Sequence, residues 1–115
     1  MDMESEPIHC TDLDEYMKEL RGDSKNKRYK AGCLKEFLRF LSDGQGKTDP
    51  RVVTRRAIDA YGLHVASQPI SSSTKATKLR LVIAWYAWME RTGRVAQHPA
   101  HDATVAELLS ESRAR

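Results

Sequence analysis

A chain of 115 residues, 40% hydrophobic and 30% charged, can bury one apolar core, covering roughly two-thirds of the surface its unfolded form exposes. Its longest apolar run, Leu81 to Met89, is nine residues and far short of a membrane crossing. The net charge of +3 is unevenly placed: residues 1–50 hold nine Lys/Arg against eleven Asp/Glu, and residues 51–99 hold eight against two, a local excess that attracts polyanions such as nucleic acid.

Residues 1–10 read as a flexible acidic arm. Asp2, Glu4 and Glu6 have the wrong sign for a secretory signal, so a cytoplasmic protein with no membrane partner is expected. Cys10 and Cys33 form no CxxC pair, and Cys33 reads as a small buried hydrophobe rather than half of a disulfide. Leu13, Tyr16, Met17 and Leu20 predict an amphipathic helix with Thr11 as its N-cap and Gly22 as its stop. A second helix is predicted from a cap at Ser24 to about Ser42, before the break at Gly44 and Gly46. Tyr29, Cys33, Leu34, Phe37, Leu38 and Leu41 share its apolar face, and Lys25, Arg28, Lys35 and Arg39 recur at helical spacing on the other.

Asp49-Pro50 can open a third helix, with Thr54 an equal candidate for its cap. It runs to about Ala66 with Ile58, Tyr61 and Val65 inward, and Gly62 weakens its middle. The polar segment from Ser67 closes on a cap at Ser73 or Ser72. A fourth helix then runs to about Thr92, stops at Gly93, and is apolar nearly all round through Leu79, Val82, Ile83, Trp85, Tyr86, Trp88 and Met89. Residues 100–115 carry a weaker pattern in Val105, Leu108 and Leu109, that of a linker or a docking helix. The expected fold is all-α, a compact bundle of four main helices with a possible short fifth, and residues 11–99 form its domain.

No catalytic set stands out. Gly44-Gln-Gly46-Lys47-Thr48 lacks the strand and spacing of a phosphate loop. His98-Pro-Ala-His101 is half a metal site with nothing to complete it, and His9 and His64 are isolated. The serines at 71–73 have no orienting base and acid beside them in sequence. Neither metal, cofactor nor free-standing enzyme activity is expected.

The stretch from Ser73 to Pro99 contains, in order, a Ser/Thr cap, a basic turn, the aromatic pair Trp85-Tyr86, the turn Arg91-Thr-Gly93 and the exit His98-Pro99. It resembles the last helix and exit of the SAM-like core-binding domain of tyrosine recombinases (phage integrases), and the similarity extends over about residues 11–100. His98 stands where the family usually has Asn, and Ile83 where a basic residue is common. The resemblance implies a module that clamps duplex DNA with its second and fourth helices. The N-terminal turns of these helices hold Ser24, Lys25, Asn26, Lys27, Arg28 and Ser73, Thr74, Lys75, Thr77, Lys78, Arg80, groups suited to phosphate and base edges. It also implies a separate C-terminal catalytic domain of the same protein, towards which 100–115 would lead, and other recombinase protomers on the DNA. The alternative is a helical protein-interaction domain that meets its partner through an exposed part of the Trp85/Trp88 stripe.

Overall fold

Tyr29 apart, the apolar faces read from the sequence are buried in or packed against one core. The computed structural model describes residues 10–20, 22, 24–45, 49–101 and 103–113. Its helices are α1 (Thr11–Glu19), α2 (Ser24–Phe40), α3 (Arg55–Ala66), α4 (Ser72–Arg91) and the short α5 (Val105–Arg113). A π-helical turn, Leu41–Gln45, continues α2, and a 3-10 turn, Pro50–Val52, precedes α3. No strand occurs among the described residues, and the class is all-α. Apart from Cys10, the N-terminal arm lies outside them.

α4 is the centre because it is apolar on several sides and packs on α1, α2, α3 and α5. It buries Leu79, Val82, Trp85, Tyr86, Trp88 and Met89. Each such side chain contributes roughly 1.5–3 kcal/mol when removed from water. Phe37 of α2 meets Tyr61 of α3 and Tyr86 of α4 edge-on, with ring centroids 5.0 and 6.1 Å away, and Tyr16 of α1 lies 5.1 Å from Trp88. The Tyr86 hydroxyl donates to the Pro50 carbonyl at 2.7 Å, and Trp88 Nε1 donates to Glu19 at 3.0 Å. Trp85 and Trp88 are therefore core residues, 0% and 2% exposed, which corrects the expectation that part of this stripe faces solvent. Tyr29 is a second correction: it is 48% exposed, on the edge of the face assigned to the core.

Several boundaries shift for local reasons. Thr11 is the first residue of α1 rather than its cap. Cys10 holds the cap position without a side-chain bond, and the helix ends at Leu20, ahead of Gly22 at φ +127. α2 likewise begins at Ser24 itself, whose side chain lies outside the described residues, and its π turn carries the chain past Ser42 and through Gly44. Both candidate starts before α3 are used. Asp49 accepts from the Arg51 amide at 3.0 Å to cap the 3-10 turn, and Thr54 accepts from the Ala57 amide at 3.4 Å to cap α3. Of the serines before α4, Ser71 is the cap in place of Ser72 or Ser73, accepting from the Thr74 amide at 3.2 Å.

At the other end of α4, Gly93 takes φ +79, and a Schellman turn closes as its amide donates to Glu90 and the Arg94 amide donates to Met89. This turn throws Arg94 back over Trp88, 4.3 Å from the ring centre. α5 starts in a capping box, the Thr104 hydroxyl accepting from the Glu107 amide and the Glu107 carboxylate from the Thr104 amide. It docks on α3 at Gly62, where an added Cβ would sit 3.1 Å from the Leu108 carbonyl oxygen. The glycine read as a weak point in α3 is the position at which another backbone comes close.

Candidate nucleic-acid interface

The spacing that buries Leu34, Phe37 and Leu38 turns the opposite side of α2 to solvent. Lys25, Arg28, Tyr29, Gly32, Lys35 and Arg39 are exposed there. On a helix they form one stripe, and the rise from Lys25 to Arg39 is about 21 Å. Among the described residues Lys25, Arg28, Lys35 and Arg39 have no ion-pair partner. Glu36, the carboxylate within α2, flanks the stripe with its side chain 33% exposed and is engaged by Lys78 and Gln68, and Asp43 lies one turn beyond the end of the stripe. Asn26 is exposed at the start of the same helix, and Lys27 is half-buried.

In the first turns of α4 the polar groups are mostly engaged within the molecule. Lys75 Nζ donates to the Ala66 carbonyl at 2.7 Å, tying α4 to the end of α3. Lys78 Nζ donates to both Glu36 carboxylate oxygens, at 2.8 and 3.0 Å, and to Gln68 at 3.1 Å. Burial pushes the Glu36 carboxyl up, but hydrogen bonds from Lys78 and Gln68 outweigh it and leave the group below the ordinary carboxylate value. The Thr77 hydroxyl donates to the Ser73 carbonyl, and the Thr74 hydroxyl lies 2.9 Å from that of Ser71. Ser73 and Arg80 are exposed. The contacts of these turns reach α2 at Glu36, about 18 Å of helix rise from Ser24. They join α4 to the last third of α2 rather than to its first turn.

Three further cations after residue 50 are also taken up, whereas Arg56 and Arg91 are exposed. Arg51 donates to Asp12 at 2.8 and 2.9 Å, while Arg94 donates to Asp12 at 3.2 Å and pairs with Glu15. The Arg51 hydrogen bond holds the Asp12 carboxyl below its usual range, against burial, with help from the charge of Arg94. Arg55 pairs with Asp59 one turn away.

Among the described residues no three His, Cys, Asp or Glu side chains come together as metal ligands. His98, buried at the exit of α4, accepts from the Ala100 amide at Nδ1, so its proton sits on Nε2 and is donated to the Ile83 carbonyl at 2.9 Å. Burial pushes the hydroxyls of Tyr61 and Tyr86 far above their ordinary values, and both residues are closed to solvent. No described helix is long and apolar enough to cross a membrane.

The stripe on α2 was legible as a helical recurrence, but its freedom from internal partners was not. Conversely, the capping box of α5 was readable in Thr104-Val-Ala-Glu107 and was missed. No protein-family model, curated protein or solved structure matches this chain.

Proposed function

We propose that the chain is a DNA-binding module that lays the outer face of α2 against duplex DNA, and that it is the core-binding half of a tyrosine recombinase whose chemistry resides in a separate catalytic domain. The observation that carries this reading is the unpartnered row of Lys25, Arg28, Lys35 and Arg39 on one exposed face. Partnered cations have their charge answered within the fold, whereas an unanswered row attracts phosphates and releases their counterions. A rigid helix fits a major groove about 12 Å wide, and Arg28 and Asn26 are of the types that read base edges there. Exposed Arg80 and Ser73 at the start of α4 are secondary phosphate contacts in this reading. Lys75 and Lys78 act mainly as braces that hold α4 on α2 and α3. The order of motifs from Ser73 to Pro99 supports the recombinase assignment, and by this reading the chain alone is not an enzyme.

The test is fluorescence anisotropy with a labelled duplex across about 50–200 mM salt. Affinity should fall steeply with salt, and replacing all four stripe cations by Gln should flatten the dependence. Absence of binding at the lowest salt, or a four-Gln variant that binds like the parent, overturns the proposal. A Lys75→Met/Lys78→Met variant that keeps its fold should retain most of the salt slope.

A further inference from the structure

Gly32 and Gly62 both lie inside described α-helices, and only Gly62 is explained by the fold. Gly62 lies where α5 presses on α3, and the Leu108 backbone fills the space a Cβ would need. Gly32, in the middle of α2, has nothing within 4 Å of that position. Its backbone does not need glycine either, because the positive-φ glycines are Gly22 and Gly93. Glycine in mid-helix weakens the helix relative to alanine, so Gly32 has a cost that no internal contact offsets.

Its position on the surface supplies the missing reason. Gly32 is exposed between Arg28 and Tyr29 on one side and Lys35 and Glu36 on the other, the Glu36 charge being answered by Lys78, with Lys25 and Arg39 farther out along the same stripe. The stripe therefore has long cationic side chains at both ends and bare backbone at its centre. We infer that Gly32 is the point of closest approach between α2 and the bound duplex, a positioning residue that lets the phosphate backbone come against the helix while the flanking cations reach around it. The inference rests on the proposed function and adds to it where, and how closely, the DNA lies. Gly62 is the internal precedent, a helix glycine at which the backbone of another element, α5 at Leu108, comes close.

The experiment compares Gly32→Ala and Gly32→Leu with the parent chain, using thermal melting and duplex anisotropy at one low salt concentration. Both variants should melt higher, by about 2–5 °C, because each restores helix propensity where there is room. Affinity should run the opposite way, weakening in the order Gly, Ala, Leu, with the leucine variant down by about tenfold or more, or 1.4 kcal/mol of binding. Ala106→Leu, at an exposed position of α5, controls for added apolar surface and should bind like the parent. If Gly32→Leu binds within about twofold of the parent while the four-Gln stripe variant loses binding, the close approach is wrong and the DNA-binding face stands. Equal losses in Gly32→Leu and Ala106→Leu also overturn it. If the four-Gln variant binds normally, the proposed function fails and this inference fails with it.

Discussion

The outer face of α2 and the basic second half of the chain contain the same side chains in opposite circumstances. Lys25, Arg28, Lys35 and Arg39 stand in solvent without partners among the described residues, in a half of the sequence whose formal charge is negative. Arg51, Arg55, Lys75, Lys78 and Arg94 lie in the half with the large positive excess, yet each is held by a carboxylate or a carbonyl. Local charge counts thus do not show which cations the fold has already answered. A charge acts on a partner only if the fold has not already answered it, and the answering groups here lie up to 82 residues away in sequence.

The sharpest way to probe the partnered set is to remove its best-buried acid. Asp12 is 6% exposed and receives three hydrogen bonds from two guanidinium groups. Asp12→Ala should lower stability by about 2–3 kcal/mol in urea denaturation, since bonds to a charged acceptor are lost while both arginines can still reach water. Duplex affinity of the folded variant should not change, because the α2 face is untouched. A variant that loses binding without losing stability would erase the distinction between the two regions.

The same carboxylate predicts an acid limb. Its folded pKa lies below the ordinary 3.8, owing first to the Arg51 hydrogen bond and then, against burial, to the charges of Arg51 and Arg94. A group depressed on folding stabilises the native state fully above its unfolded pKa, and that contribution disappears as pH falls from there through the folded value. Glu36, depressed from 4.5, behaves in the same sense and begins to lose its contribution slightly higher. Stability should therefore decline from about pH 4.5 downward, and the decline below about pH 3.8 should be shallower in Asp12→Ala. Urea midpoints across this range give the comparison, and identical limbs would show that the Asp12 cluster does not hold in solution.

A smaller effect is expected at Lys78, whose side chain is 14% exposed against Glu36 at 33%. Lys78→Met keeps the apolar stem and removes three hydrogen bonds, so about 1–2 kcal/mol of stability should go. An unchanged urea midpoint with a lowered salt slope would move Lys78 from the bracing set to the binding set.

Sequence and structure agree best where a single physical signal decides. The order of helices followed from apolar spacing, and Gly93 from the need for a left-handed residue after α4. Agreement fails where several neighbours offer the same chemistry. Three serines in a row can each cap a helix, and only backbone geometry selects Ser71. Tyr29 sits at the edge of an apolar face, where a few tens of degrees of rotation separate core from surface. The reason for Gly62 depends on where α5 docks, and the roles of Lys75 and Lys78 depend on Ala66, Gln68 and Glu36. These are tertiary facts that no local pattern contains.

The smallest stability effects should come from the stripe itself, and they decide how much of α2 is engaged. Lys25→Gln and Arg39→Gln remove the two outermost cations, and each should change stability by no more than about 0.5 kcal/mol, as exposed side chains without partners do. In duplex binding, each should reduce the slope of log affinity against log salt by about 0.9 if its phosphate contact is made. Equal losses at both ends mean that the whole length of about 21 Å lies along the DNA. A loss at Lys25 alone means that only the first turns of α2 enter the groove, and then the exposed groups nearest in role are Arg28 and Asn26 rather than Lys35. No loss at either end, with a clear loss at Arg28→Gln, would confine the contact to the centre of the helix, where Gly32 leaves the backbone bare.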